Sequence, residues 1–196
     1  IDGVDVKFGS DDEILVRGFN VMMGYYKDEA KTAEVMTDDW FHTGDIGRMD
    51  DGFLKITDRK KEMFKTSGGK YVAPQLLENA LKASLFIEQV MVVGDGQKFP
   101  GALVVPNADA VAEWCERKGH PFPGVGEIRN DARIAARIQE DVNRLMIPFA
   151  QWEKVKAIRI LPTMFAIENG ELTPTLKLKR KPIKEHYQGE IDQLYA

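Results

Sequence analysis

The run Asp58-Arg59-Lys60-Lys61-Glu62 places five charged residues in a row with no apolar residue among them. Such a segment cannot run through a hydrophobic core, since each charge taken out of water needs a partner. It also falls where the hydrophobic pattern changes. The simplest reading is a solvated loop, and the change in pattern makes it a candidate linker between two bodies.

Before the run the sequence reads as β-rich. Glu13-Ile14-Leu15-Val16-Arg17 is a short strand pattern ended by Gly18, and Asp28 is placed to cap a brief helix to about Met36. Asp50-Asp51-Gly52, between Gly47-Arg48-Met49 and Phe53-Leu54-Lys55-Ile56, predicts a hairpin because Asp-Gly tolerates positive φ. A portion of this size has a marginal core alone. It is expected to expose apolar surface, and to lean on the second domain or on another copy of the chain.

After the run the pattern is mixed. Pro74 suits the first turn of a helix to about Ala83, and Ile87–Val93 and Ala102–Val105 read as strands. Asn107 is positioned to cap a helix to about Lys118, and Asp131 another carrying Ile134, Ile138, Val142, Leu145 and Met146. Gly119–Asn130, rich in Pro and Gly, reads as loop, Val155–Leu161 as strand, and Lys184–Tyr195 as a closing helix. The fold class is therefore α+β: a small β-rich unit, then a compact α+β domain with a small sheet and flanking helices.

Charge and composition narrow the functions available. Lys and Arg total 27 against 31 Asp and Glu, a net charge of −4, so nucleic acid is not expected as a partner. No apolar run approaches the roughly 20 residues of a spanning helix, so no transmembrane segment is expected. Cys115 is the single cysteine, which excludes an internal disulfide and fits a reducing cytoplasm. The three histidines, His42, His120 and His186, have no metal-binding spacing, and no metal site is expected. The opening Ile1-Asp2-Gly3-Val4 has no initiator Met and enters strand-like alternation at once, so the chain is expected to be part of a longer protein.

Two segments invite a chemical reading. Thr66-Ser67-Gly68-Gly69-Lys70 resembles a phosphate loop but fails the Walker pattern, with Tyr71 where Ser or Thr belongs and Phe64 at the first Gly. A turn that needs two glycines for close backbone approach is the better physical reading. Leu176-Lys177-Leu178-Lys179 alternates with period two, so in an extended strand both lysines share one face. By itself this is an edge strand with solvated lysines; the sharper reading is an ammonium delivered to an anion.

Together with Trp40-Phe41-His42-Thr43-Gly44-Asp45-Ile46-Gly47, and in this order and spacing, these segments resemble the adenylate-forming ligases. Within that family, Asp58 to Pro74 and the tail from Glu171 to Arg180 are most similar to the long-chain acyl-CoA ligase branch. The resemblance implies an enzyme that makes an acyl-AMP from fatty acid and ATP, rotates its C-terminal domain, and transfers the acyl group to CoA. It implies residues 1–58 as the last β-rich subdomain of the N-terminal AMP-binding domain, 59–61 as hinge, and 62–196 as the mobile C-terminal domain. Asp45 would accept hydrogen bonds from the ribose hydroxyls, Arg59 would make a second nucleotide contact, and Lys61 would be the hinge. Lys177 would be the catalytic lysine of adenylation. Lys65, with Gly68, Gly69 and Lys70, would belong to the face that meets CoA in the second step.

Many relatives carry Gly where Leu176 stands before Lys177. The resemblance places the family's phosphate loop, adenine segment and acyl pocket upstream of this chain, so the isolated chain is expected to be inactive. ATP, CoA and magnesium are implied for the whole protein, with the metal held outside this chain. Peripheral membrane contact would come through that whole protein. A ligase for aryl or short-chain acids, a peptide-synthetase adenylation domain and a non-catalytic module of the same fold are the alternatives. Lys60-Lys61-Glu62 and the Leu-Lys-Leu-Lys tail disfavour the peptide-synthetase option.

Overall fold

Strands dominate Ile1–Met63, the first of two units into which the chain divides; the second is Phe64–Ala196. The structure, a computed structural model, describes residues 2–196. In the first unit β1 (Val4–Phe8) pairs antiparallel with β2 (Glu13–Gly18). Helix α1 (Glu29–Val35) begins at Asp28, whose carboxylate accepts from the Lys31 amide at 2.9 Å. Then come β3 (Met36–Thr37), β4 (Trp40–Asp50) and β5 (Phe53–Arg59). The sheet order is β1-β2-β4-β3, with β5 also on β4, so the long strand β4 is shared by three neighbours. Its hairpin with β5 turns at Asp51 and Gly52, both at positive φ (49° and 83°), as a type I′ turn requires.

The charged run is only partly a linker. Asp58 and Arg59 belong to β5, and Asp58 is buried, with the Arg59 amide donating to its carboxylate at 2.6 Å. Ladder pairing with β4 carries the strand past the last apolar residue, a contact that local composition cannot announce. The core of this unit is thin. Ile14, Leu15 and Ile46 are its buried apolar side chains, while Met49, Leu54, Ile56 and Phe53 stand exposed on the hairpin.

In the second unit β6 (Phe64–Lys65) and β7 (Tyr71–Val72) form a short hairpin ahead of α2 (Pro74–Leu81). The main sheet contains β8 (Ile87–Val93) and β9 (Gly101–Pro106), antiparallel. Helix α3 (Ala108–Lys118) is capped by Asn107 and ended by Gly119 at φ 67°, and α4 (Ala132–Leu145) is capped by Asp131. Strand β10 (Ala157–Ile160) joins β9 in parallel. Alternate residues of the sheet enter two cores. Val90, Val92, Ala102 and Val104 face Leu77, Leu81, Val111, Ile134 and Ile138 of α2, α3 and α4. Met91, Val93, Leu103 and Val105 face Leu172, Phe165 and Ile183. A sheet covered on both sides explains why β8 and β9 read as continuous apolar runs.

Three local expectations need correction. The closing helix is two helices, α5 (Arg180–His186) and α6 (Gln188–Tyr195), interrupted at Tyr187. Pro182 sits in the first turn of α5, where no amide donor is needed, so the helix starts earlier than periodicity suggests. Tyr187 packs on the core beside Phe165, at a ring separation of 5.9 Å, and leaves helical geometry to do so. The Pro/Gly-rich loop contains a 3-10 helix, Val125–Asn130, because Ile128 is drawn into the core. The Leu176–Lys179 segment is not an extended strand. Leu172 and Leu178 form an isolated bridge across a tight turn, and Leu176 lies at its tip with φ 59°. No helix among the described residues is long and apolar enough to cross a membrane.

Candidate functional site

Between the ladder positions Glu13↔Ile46 and Leu15↔His42, β2 advances from 13 to 15 while β4 passes from 42 to 46. Three residues of β4, Thr43-Gly44-Asp45, thus stand opposite the single Ile14 of β2, and this segment bulges from β4. A second irregularity falls next to them, between Ile46 and Gly47 on the β5 side. Bulges of this kind re-aim a side chain out of the strand's alternation. Thr43 ties the bulge down: its hydroxyl donates to the Ile14 carbonyl at 2.8 Å and accepts from the Asp45 amide at 3.1 Å. Gly44 has φ 71°, with open space where a Cβ would be, so backbone conformation and not crowding selects glycine there.

Asp45 leaves this bulge opposite Arg59 of β5, and Arg59 Nε lies 2.7 Å from Asp45 Oδ1. An ionised carboxylate can only accept hydrogen bonds, which suits the hydroxyl donors of a diol. Behind the pair lies Glu13, 4 % exposed. Its Oε1 accepts from the Gly44 amide at 3.1 Å; its Oε2 meets Lys60 Nζ at 2.8 Å and His42 Nδ1 at 3.1 Å. Lys60 also reaches Asp11 Oδ2 at 2.7 Å. Burial pushes the Glu13 carboxyl up, but Lys60, His42 and the Gly44 amide outweigh it and hold it below the ordinary value. The hydrogen bonds to Asp11 and Glu13 raise Lys60 above its ordinary value. After Lys60, whose amide donates to the Gly44 carbonyl at 2.8 Å, the chain turns through Lys61 and Glu62. Lys61 is exposed.

In the second unit, Ser67-Gly68-Gly69 is the loop of the β6–β7 hairpin. The Gly69 amide donates to the Thr66 carbonyl at 2.8 Å, and the Thr66 amide to Lys70 at 2.9 Å, a turn followed by a G1 bulge. Gly69 carries the positive φ, 78°; Gly68 does not, so the turn requires one glycine and not both. Lys65 folds back along this loop, its Nζ 5.4 Å from the Tyr71 ring centre and its Cε beside Gly69. Lys70 lies over Trp152 at 5.3 Å. The result is an exposed surface of two ammonium groups, two aromatic rings and bare backbone.

Lys177 sits in the separate turn Thr173–Lys177. The Thr173 amide donates to the Lys177 carbonyl at 2.8 Å, and the Lys177 amide to Thr173 Oγ1 at 3.0 Å. Its ammonium is exposed and has no acidic partner among the described residues. Both ends of the turn are anchored. Buried Glu171 accepts from the Ala166 amide at 3.0 Å and faces His186 Nδ1 at 3.1 Å. Arg180 makes a two-pronged contact with Glu78 of α2, at 2.7 and 2.8 Å, and Glu78 also accepts from the Val92 amide at 2.8 Å. Burial pushes the Glu78 carboxyl up, against the pull of Arg180. The planar guanidinium and the amide supply what the charged form needs.

The structure thus brings Asp45 and Arg59 together, groups Lys65, Gly68, Gly69 and Lys70 at one hairpin, and gives Lys177 a turn of its own. Sequence reasoning missed Glu13 and the Glu78–Arg180 pair. Their side-chain partners lie 29 to 102 positions away, and the available hint was a glutamate at the start of an otherwise apolar strand. Among the described residues there is no group of three or more His, Cys, Asp or Glu that could hold a metal ion.

Comparison with known proteins fits this frame. The profile of the AMP-binding enzyme C-terminal domain matches residues 62–196. A long-chain-fatty-acid–CoA ligase of Mycobacterium tuberculosis is 41 % identical over 197 residues, covering 100 % of this chain and 33 % of that protein. Long-chain-fatty-acid–CoA ligase 1 of Homo sapiens is 42 % identical over 193 residues, covering 94 % of this chain and 27 % of its own length. The chain therefore spans about a third of the curated relatives it matches. Among solved structures, the adenylation domain of a carboxylate reductase from Mycobacterium chelonae superposes with a TM-score of 0.76 at 23 % identity, over 98 % of this chain and 30 % of its own. The O-succinylbenzoate coenzyme A synthetase of Bacillus subtilis bound to AMP gives 0.65 at 20 % identity, over 94 % and 34 %. These last two speak for the fold. With the family profile covering most of its length, the chain belongs to the AMP-binding, adenylate-forming enzymes, of which it carries the C-terminal domain.

Proposed function

We propose that this chain is the C-terminal part of an ATP-dependent long-chain-fatty-acid–CoA ligase. In the first step a fatty-acid carboxylate oxygen attacks the α-phosphorus of ATP and pyrophosphate leaves. In the second the sulfur of CoA attacks the acyl carbon and AMP leaves. The observation that carries the reading is the Thr43–Asp45 bulge, which presents an acceptor-only carboxylate with an arginine alongside. That arrangement suits the two vicinal hydroxyls of a ribose.

Lys177 would offset charge as two anions meet in adenylation, and its exposed ammonium on an anchored turn supports that role. The Lys65–Lys70 hairpin suits the second step, with bare glycine backbone and cations for the thiol-bearing nucleotide. Residues 59–61 would be the hinge. Lys60 is tied back to the first unit by both amide and ammonium, Phe64 is buried in the second, and Lys61 lies between these anchors. Magnesium would travel with the phosphates of ATP, held by residues outside this chain. A cytoplasmic enzyme is the reading that the single buried thiol supports.

The test is to separate the two half-reactions in the full-length protein. Lys177→Ala should lower pyrophosphate exchange by roughly 10²–10³ and leave thioester formation from supplied acyl-AMP largely intact. Lys65→Ala should show the reverse. Equal losses in both steps for Lys177→Ala, or none, would refute the assignment.

A further inference from the structure

We propose that Glu13 is a positioning residue for the nucleotide, its carboxylate setting the geometry of Asp45 and Arg59. The inference rests on the ribose-binding reading of that pair. Glu13 belongs to β2, apart from the motif segments, yet each donor it accepts stands next to the nucleotide residues. Gly44 directly precedes Asp45, Lys60 directly follows Arg59, and His42 opens the bulge. One side chain therefore holds both strands that present the pair.

The bulge makes such a residue necessary. Where β4 leaves its ladder with β2, the half-buried Gly44 amide needs another acceptor. Glu13 Oε1 replaces the missing carbonyl. A neutral acceptor would satisfy that amide equally well. The charge is required at Oε2, where the Lys60 ammonium and the His42 ring nitrogen converge within 3.1 Å. With Nδ1 donating to Glu13, a neutral His42 can accept from Thr37 Oγ1 through Nε2 at 3.2 Å, so the ring is held at both ends. Stability alone does not ask for this design, because a well-packed apolar residue in a buried ionic site is often as stabilising. What the network adds is fixed geometry, and a binding site a fraction of an ångström too loose loses affinity.

The test uses the full-length protein, with pyrophosphate exchange measured while ATP and fatty acid are varied in turn. Glu13→Gln keeps the acceptor for Gly44 but turns an amide or a neutral oxygen toward Lys60 and His42. It should raise the KM for ATP about tenfold while kcat and the fatty-acid KM stay within about twofold. Lys60→Met removes one donor while leaving the carboxylate of Glu13 in place, and should raise the ATP KM in the same direction by less. In the double variant the two effects should be less than additive, because they act on one contact. A lowered melting temperature with an unchanged ATP KM would make Glu13 merely structural and overturn the proposal, as would equal changes in all three kinetic parameters. Asp45→Ala separates the two readings. If it raises the ATP KM and Glu13→Gln does not, this inference alone fails. If Asp45→Ala leaves the ATP KM unchanged, the ribose reading fails and takes this inference with it.

Discussion

Asp45 and Arg59 are cross-strand neighbours, set opposite each other by the register of β4 and β5 and joined by a 2.7 Å contact from Arg59 Nε. The arginine is largely exposed, so the pair contributes little to folding, typically below about 1 kcal/mol. It can rearrange to admit a ligand. Arg59→Met in the full-length protein should therefore leave the denaturation midpoint nearly unchanged while raising the ATP KM about tenfold. Urea unfolding and pyrophosphate exchange on the same preparation would decide it.

The Glu78–Arg180 contact should behave oppositely. Both side chains are largely buried, so Arg180→Met leaves a carboxylate stranded beneath α2 and should cost about 3–5 kcal/mol. Replacing both residues by apolar ones should recover part of that loss. The Val92 amide, which Glu78 also serves, would still lack its acceptor. Chemical denaturation of the three variants measures the difference.

Leu176 holds a left-handed conformation with its side chain 70 % exposed. Left-handed geometry costs a branched L-residue about 1–2 kcal/mol, while glycine adopts it freely at some entropic cost to the unfolded chain. Leu176→Gly should stabilise the protein slightly and Leu176→Val should destabilise it by about 1 kcal/mol. A ranking with valine above leucine would contradict the turn geometry.

The Asp11–Glu13–Lys60 cluster should confer stability over a defined pH window. The folded carboxyls lie below their usual 3.8 and 4.5, so their contribution is complete above those values and is lost as pH falls through the lower folded ones. Lys60 lies above its usual 10.5, so its contribution is complete below that and is lost as pH rises through the higher folded value. The stability difference between wild type and Lys60→Met should be flat from about pH 5 to about pH 10 and shrink on either side.

Much of this architecture can be read locally. Asp28, Asn107 and Asp131 announce helix starts because a short acceptor side chain binds an amide two or three positions on. Asp51-Gly52 announces a hairpin because both positions need positive φ. The Leu176–Lys179 turn was hidden because leucine has no preference for the conformation it adopts there, and alternation of Leu and Lys looks like a strand. The order of motifs gave Asp45 and Arg59 as separate residues; that they face each other depends on two register shifts no local rule encodes. The role of Glu13 was hidden for the same reason, since His42 and Lys60 lie 29 and 47 positions from it.

Glu78 and Arg180 are separated by 102 positions, which has a consequence for synthesis. A ribosome delivers α2, the main sheet, α3 and α4 well before it delivers Arg180. Until then Glu78 lacks its guanidinium partner, and the growing chain carries an acidic group without its two-pronged contact where its interior should close. Chains released early, or clipped just ahead of α5, would thus be marked as defective by a charge in the wrong place. The turn that bears Lys177 would take its final shape only as the last stretch of polypeptide arrives.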